Sequence, residues 1–283
     1  GKHFSDYGYS IYDPLTSRPC TGADCRGSAY IRDPFPGNVI PDSRISPVGA
    51  KVLSYYPAPN GPDPKALNNN YYSNTDGRYR YDQPMGRWDH NFSESDRFYA
   101  LVTYQHGQEY RNSTGFLPPA GSGDINSQRT DQNYVATWTH VLSPTSVLDV
   151  RGSFGRFTSM FPRMTDYDFT SADLGMTKMP HAPTLKTPSA PRFDVSGLTN
   201  LFAGGSHGEW STYNQWNFAP SLATTRGRST IRFGFEYNYV ARATANVGYS
   251  NGYFNFNQNW TRRLSGYNGG PFDGSSIASL LLG

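Results

Sequence analysis

The first residues of this sequence that could form a chemical site are two cysteines. Cys20 and Cys25 are its only cysteines, and they lie in a loop rich in Pro, Thr, Gly and Asp. Their close spacing favours a small loop closed by a disulfide in an oxidising compartment. A free pair and a metal-bound pair stay open as alternatives, although a metal site needs two more ligands and His3 alone is a weak one.

Other polar groups do not form a recognisable catalytic or calcium motif. Ser206 lies beside His207, but adjacency is not a catalytic triad and no strand–turn–helix pattern surrounds the pair. A loop tip is the favoured interpretation. Asp124, Asn126 and Asp131 carry oxygen ligands, yet the acidic spacing and the closing glutamate of a calcium loop are absent. Exposure to solvent in a loop explains these three residues better than calcium binding does.

Histidines and methionines also favour structural roles. His90, His106 and His140 fall on separate predicted strands, which favours interface or girdle positions over a metal site. The methionines from Met160 to Met179 suit packing within a long loop better than a copper site. The sequence therefore predicts no cofactor, no metal and no enzymatic activity.

The chain is organised around an alternating stretch at residues 229–243. Because successive side chains of a strand point to opposite sides, strict alternation predicts an extended strand. Its apolar face comprises Ile231, Phe233, Phe235, Tyr237, Tyr239 and Ala241. Its opposite face comprises Thr230, Arg232, Gly234, Glu236, Asn238 and Val240. The second set suits contact with water.

A hairpin is predicted to join this strand to the one before it. Residues 216–223 and 230–239 pair antiparallel across a turn at which Gly227 adopts a positive φ. Pro220 has no N–H, so one ladder bond must be missing there or a bulge must form. The predicted lipid-facing or core-facing aromatic residues are Phe233, Phe235, Tyr237, Tyr239, Trp216 and Phe218.

Composition excludes several classes of protein. The chain has 283 residues, and 25 Lys+Arg against 22 Asp+Glu give a net charge of +3. This charge is too small and too scattered to indicate nucleic-acid binding. No run approaches the ~18 apolar residues of a transmembrane helix, and 29 Gly with 21 Pro predict many turns. The first residues do not resemble a signal peptide, so we expect it to be removed or the chain to be an internal piece.

Three regions are predicted along the chain. Residues 1–82 form a long loop region with one short helix, which Ser46 caps and Pro47 begins. Residues 83–261 form antiparallel strand pairs, the last strand being Tyr253–Phe256. Residues 262–283 form a terminal loop or strand.

The connections between about seven strands alternate between short turns and long loops. A membrane barrel explains this alternation, with turns at one rim and loops at the other, whereas a soluble up-and-down sheet does not require it. The predicted fold is therefore all-β, as part of an outer-membrane barrel. A girdle at the strand ends would comprise Trp88, Trp138, Trp216, Tyr237 and Tyr239.

Several motifs resemble those of TonB-dependent outer-membrane receptors of the Oar-like type, which carry a carboxypeptidase-regulatory-like domain. The most distinctive reads RDPFPGNVIP at residues 32–41. The others lie at residues 11–16, 43–48, 55–60, 87–93, 95–98, 138–145, 227–237 and 277–283. Together they cover nearly the whole chain.

This resemblance implies a barrel of ~22 strands around a plug. It implies the outer membrane and the TonB system as partners, and uptake or export of a large ligand. The plug, the TonB box, the regulatory-like domain and a closing strand are not found, so we expect the chain to be a partial barrel segment.

A fibre is the alternative hypothesis. A lone segment would expose two sheet edges and an aromatic face, which pairing with identical copies would cover in an extracellular homopolymer. Residues 246–260 are rich in aromatic residues, Asn and Gly, as in-register cross-β stacking requires. The residues predicted to stack are Tyr253, Phe254, Phe256 and Trp260. The backbone partners of Phe233 and Phe235 discriminate the barrel from the fibre.

Overall fold

The computed structural model describes residues 3–63, 66, 68–110, 115–117, 119–121, 126–161, 169–179, 190–202, 209–245, 251–267 and 269–283. The strands are β1 Arg18–Pro19, β2 Tyr30–Ile31, β3 Arg78–Asp82, β4 Met85–Asn91, β5 Asp96–Tyr110, β6 Asn126–Ser143, β7 Ser146–Phe161, β8 Arg192–Val195, β9 Glu209–Arg226, β10 Ser229–Gly234, β11 Tyr237–Ala245 and β12 Tyr253–Phe256. The α-helices are α1 Pro47–Leu53 and α2 Ser276–Leu282. The 3₁₀ helices are Phe4–Tyr7, Pro14–Thr16, Ala23–Cys25, Pro36–Asn38, Asp42–Arg44, Ala172–Leu174 and Gln258–Thr261. The fold is all-β, as the sequence predicts.

One antiparallel sheet dominates the structure. β5, β6, β7 and β9 lie side by side in chain order; β3 and β4 pair with β5, and β10 and β11 pair with β9. The four central strands have 15, 18, 16 and 18 residues. They exceed the ~9–11 residues that a tilted strand needs to cross a bilayer, so they extend beyond it.

All the tight turns lie at one end of this sheet. They connect β4 to β5, β6 to β7 and β9 to β10, and Gly227 in the last has a φ of 61°. The chain leaves the other end through residues 111–125, residues 162–208 and the segment after β11. The predicted alternation of short and long connections is therefore confirmed.

Each edge of the sheet is a single strand with a short interruption. β3 and β4 pair with β5 in one continuous register, from Asp82 opposite His106 to Met85 opposite Thr103. β10 and β11 likewise keep one register on β9. Among the described residues the two outer edges do not pair with each other, so the barrel is not closed.

The hydrophobic core lies in the loops rather than in the sheet. The described residues of 3–63, 115–121, 169–202 and 251–283 form a compact unit, which we call the loop body. It contains two clusters of buried side chains. The largest fully buried side chains include Phe193, Phe202, Ile11, Ile40 and Leu174.

Helices α1 and α2 pack against each other inside the loop body. The Ser46 side chain accepts a hydrogen bond from the Gly49 N–H at 3.3 Å, which confirms the predicted N-cap. A Cβ on Gly49 would lie 2.1 Å from the Leu280 carbonyl oxygen, so only glycine permits this approach. Among the described residues, no helix combines the length and the apolar content needed to cross a bilayer.

The end of the chain differs from its prediction. Residues 276–282 are helical rather than loop or strand, because Ser275 caps the segment and Leu280 and Leu281 are buried in the loop body. Strand β12 does not belong to the large sheet but pairs in parallel with β8. Its side chains pack on Phe193, whose ring centroid lies 5.1 Å from that of Phe254. The aromatic side chains of β12, which the sequence assigned to the barrel or to a stack, therefore pack within the loop body.

Candidate membrane-facing and lumen-facing surfaces

One face of the large sheet is apolar, and we call it the apolar face. The register sets Phe233 opposite Leu222, Tyr237 opposite Phe218 and Tyr239 opposite Trp216. The rings touch across strands: the ring centroids of Trp216 lie 5.3 Å from Tyr239 and 5.2 Å from Phe154. The predicted aromatic residues on these two strands therefore share one face.

The apolar face continues across β4, β5, β6 and β7, whereas β3 places Arg78, Arg80 and Asp82 on this side of the sheet. On these strands it comprises Trp88, Phe98, Ala100, Val102, Tyr134, Ala136, Trp138, Leu148, Val150 and Phe154, and the ring of Phe92, just after β4, lies beside Phe98. These side chains are partly or largely exposed, and Phe235 is 63% exposed. An apolar patch of this extent is unfavourable in water and needs a bilayer or another protein surface to cover it. Contact with lipid remains a prediction for each residue.

The height of the apolar face suits a bilayer. Ile231 and Tyr239 are eight residues apart, which is about 27 Å along a strand at ~3.4 Å per residue. A tilt of ~40° reduces this to about 21 Å, close to the ~25 Å apolar band of outer-membrane barrels. Towards the long loops the same face becomes polar, with Thr130, Gln132 and Arg156.

Near the tight turns, polar and aromatic groups mix on the apolar face. Asp96 Oδ1 accepts hydrogen bonds from Trp138 Nε1 at 3.1 Å and from His140 Nδ1 at 2.7 Å. His90 stacks on Trp88, with 5.4 Å between ring centroids. Indole and imidazole groups of this kind suit the boundary between membrane and water. This arrangement favours girdle positions for these two histidines.

The opposite face of the sheet is polar, and we call it the polar face. It contains a concavity of about 710 Å³, whose lining includes Tyr99, Thr137, Asp149, Arg151, Arg232 and Glu236. Arg87 donates two hydrogen bonds to Asp89, at 2.7 and 2.8 Å. Its guanidinium carbon also lies 4.6 Å from the centroid of the Tyr99 ring.

Neighbouring groups hold the remaining polar side chains of this face in place. Thr139 Oγ1 donates to Asp149 Oδ1 at 2.6 Å. Asn217 Nδ2 lies 2.5 Å from Glu236 Oε1 and 2.8 Å from Asn238 Oδ1. A wall of paired charges and amides can line a water-filled lumen and bind a polar ligand or domain.

The predicted disulfide is present, since Cys20 and Cys25 are joined. The next residue, Arg26, has a left-handed backbone with a φ of 46°. Its Nη1 donates to the Tyr267 hydroxyl at 2.6 Å, and its guanidinium carbon lies 5.2 Å from the Tyr267 ring centroid. The disulfide loop is thereby attached to the last part of the loop body.

The residues predicted to stack lie in the loop body. Phe254 and Phe256 are half-buried against the core, whereas Trp260 is 56% exposed. The pairing that discriminates barrel from fibre falls within one chain: Phe233 pairs with Leu222, and the Phe235 N–H donates to the Pro220 carbonyl. The barrel hypothesis requires this pairing.

Several of the other candidate groups lie outside the described residues. Ser206, His207, Asp124 and Met164 fall outside the described residues, as do the side chain of Asn126 and residues 246–250. Asp131 lies on the polar face of β6, where its Oδ1 accepts a hydrogen bond from Asn133 Nδ2 at 2.8 Å. Within the described ranges, no group of three or more His, Cys, Asp or Glu residues is placed to hold a metal ion.

The polar face was only partly predicted. Alternation along residues 229–243 identified Arg232, Glu236 and Asn238, but it did not connect them with Tyr99 or Arg151. The missing information is the cross-strand register, which sets Tyr99 opposite Thr137 and Thr137 opposite Arg151. Assigning alternate positions of each strand to opposite faces of the sheet would have placed Tyr99 and Arg151 on the polar face.

Comparison with known proteins identifies a family. The family model described as an outer membrane beta barrel domain matches residues 1–283. Neither the curated proteins nor the solved structures gave a significant match.

Proposed function

Because this chain belongs to the outer membrane beta barrel domain family, we propose that it forms part of the wall and the surface loops of a TonB-dependent transporter for a large ligand. The outer-membrane location follows from the family. The transport function rests on the receptor motifs in the sequence and on the arrangement of the two sheet faces.

The observation that carries the proposal is the contrast between these faces. The apolar face suits lipid, while the polar face carries Arg87, Asp89, Asp149, Arg151 and Glu236. The interior of a barrel of ~8 strands is filled by side chains, whereas wider barrels enclose a channel or a plug. A charged concavity on the inner wall therefore favours a wide barrel.

The sheet edges also support a wide barrel. β3 and β4 on one side and β10 and β11 on the other have unpaired outer edges among the described residues. Unpaired backbone groups cannot remain in a bilayer, so more strands must pair there. We assign the tight turns to the periplasmic rim and the loop body to the outer surface, as in other barrels of this kind.

The proposal is tested by comparing three strains of the source bacterium: the parent, a deletion of this gene and a deletion of TonB. A large compound that the parent removes from the medium, and that both deletion strains leave there, is the expected result. Removal by the TonB-deletion strain but not by the gene-deletion strain would contradict TonB dependence. Equal removal by all three strains would contradict transport.

A further inference from the structure

A second concave surface lies on the loop body, beside the disulfide loop. It has a volume of about 390 Å³, within the ~300–1,000 Å³ range of small-ligand sites. We call it the arginine pocket. Its lining includes Tyr12, Arg26, Arg263, Tyr267, Phe272 and Asp273.

Two guanidinium groups in this pocket keep donors for a ligand. Arg26 Nη1 donates to the Tyr267 hydroxyl at 2.6 Å, which orients the group and leaves its other N–H donors without a partner among the described residues. The Arg263 side chain has no hydrogen bond or ion pair with any described residue. Its neighbour Arg262 differs, because that guanidinium is bonded to side-chain and backbone oxygens of the loop body.

A carboxylate in the same pocket is held in place and keeps an acceptor. Asp273 Oδ1 accepts from the Arg263 backbone N–H at 3.2 Å. The group also lies against the backbone of Gly269, where a Cβ would be 2.0 Å from Asp273 Oδ2. Among the described residues, no ion pair joins Asp273 to either arginine side chain of the pocket. Oδ2 therefore faces the pocket as an acceptor.

Hydroxyl groups and an aromatic ring complete the lining. The Tyr267 oxygen accepts from Arg26, so its own hydrogen is left for another acceptor. The Tyr12 hydroxyl has no partner among the described residues. Phe272 is 45% exposed, and its ring is fixed edge-on against Tyr9, with 5.3 Å between centroids. The pocket thus offers hydroxyls and an apolar surface beside its charges.

The mixture of charges favours an anion that also carries hydroxyl groups. Two arginines stand against one aspartate among the described lining residues, and a planar carboxylate matches the paired donors of a guanidinium. A simple inorganic anion would be repelled by Asp273. Hydroxyl groups next to a carboxylate would instead donate to Asp273, because an ionised carboxylate only accepts.

We propose that the arginine pocket binds a uronic-acid residue of an acidic polysaccharide. The carboxylate of the sugar pairs with Arg26 and Arg263, its hydroxyls donate to Asp273, and its C–H face packs on Phe272. This inference deepens the proposed function, on which it rests for the display of the loop body at the outer surface. It identifies the class of ligand that the surface loops capture first.

The test uses the full-length protein in detergent and measures, by isothermal titration calorimetry, its affinity for a trimer of galacturonic acid. The methyl ester of the trimer is the neutral match and should bind at least about tenfold more weakly. Arg263→Gln should weaken binding of the acid by about tenfold or more. Arg18→Gln is the matched control: it removes the same charge from the loop body outside the pocket, so affinity should stay within about twofold.

A second variant tests the sugar hydroxyls. Asp273→Asn keeps an oxygen for the Arg263 N–H but turns the other acceptor into a donor, so it should weaken binding of the trimer. Stronger binding by this variant would overturn the saccharide assignment, because the carboxylate would then only repel the anion.

Three other results would overturn the proposal: no binding of the trimer by the wild-type protein, equal binding of acid and ester, or wild-type affinity in Arg263→Gln. Loss of fold does not confuse the last result, since the Arg263 side chain bonds to no described residue. Binding without TonB-dependent uptake would refute only the transport function. TonB-dependent uptake of another compound, without binding of the trimer, would refute only this inference.

Discussion

The N–H of Phe235 donates to the carbonyl of Pro220 at 3.3 Å, and Pro220 has no N–H with which to return the bond. The strand is interrupted at this point, yet Gly234 opposite Ser221 and Tyr237 opposite Phe218 keep one register. The sequence predicted a lost bond or a bulge, and the structure shows the lost bond. Pro84 accepts in the same way from the Tyr104 N–H, at 3.1 Å, on the opposite edge strand.

Pro220→Val should restore the missing ladder bond. The new N–H faces the Phe235 carbonyl, so we expect the protein to gain about 0.5–1 kcal/mol of unfolding free energy. Amide hydrogen exchange checks this, because the amide of residue 220 should exchange slowly. Pro84→Val should likewise restore a ladder bond, from the new N–H of residue 84 to the Tyr104 carbonyl. Rapid exchange at both new amides would contradict the proline explanation.

Phe235→Arg should impair membrane assembly much more than Arg232→Leu. The ring of Phe235 contacts Phe218 on the apolar face, where an arginine at mid-membrane depth costs about 2–4 kcal/mol, whereas Arg232 lies on the polar face. The measurement is the folded fraction in outer membranes, from the heat-modifiable mobility of the full-length protein. Equal losses in the two variants would refute the assignment of the faces.

Arg32→Met should destabilise the loop body by about 2–4 kcal/mol, because it leaves the carbonyls of Asn259 and Arg262 without their buried donor. The measurement is resistance to limited proteolysis under increasing denaturant. Arg18→Met is the matched control: its ion pair with Asp33, at 2.8 Å, is half-exposed and should contribute no more than about 1 kcal/mol. Similar losses for both variants would exclude the proposed role of Arg32.

The Asp13–Arg44 pair should make the stability of the loop body depend on pH. Arg44 donates to both carboxylate oxygens of Asp13, each at 2.9 Å, and lowers the pKa of that carboxyl below its ordinary value of 3.8. Because the carboxyl has a lower pKa in the folded state, the pair stabilises the folded state at pH values above the pKa of the unfolded state. This stabilisation is lost as the pH falls through the pKa of the folded state.

Thermal unfolding at about pH 7 and about pH 2.5 tests this linkage. Asp13→Asn should cost about 1 kcal/mol at the higher pH and less at the lower pH, since the wild-type carboxyl is then becoming protonated. Arg44→Gln and the double variant complete a cycle that isolates the pair. A cost of Asp13→Asn that does not change with pH would contradict the linkage.

The sequence by itself determined most strands of the large sheet and their two faces, although β3 fell within the predicted loop region at residues 1–82. Alternation is a local property, because each side chain of a strand points opposite to the one before it. The faces of Phe235 and Arg232 therefore follow from residues 229–243 alone. Gly227 and Pro220 act locally too, through a positive φ and a missing N–H. The helix that Ser46 caps is predictable for the same reason.

Only the tertiary structure decided what the loops do. Residues far apart in sequence build the loop body, such as Gly49 against Leu280, and the bonds from Arg32 to the carbonyls of Asn259 and Arg262 cross more than 200 positions. No local pattern encodes such contacts. β12 was assigned to the large sheet because its alternation is that of any strand, and α2 was missed because seven residues carry little helical signal. Burial against partners distant in sequence stabilises both, and those partners exist only in the folded chain.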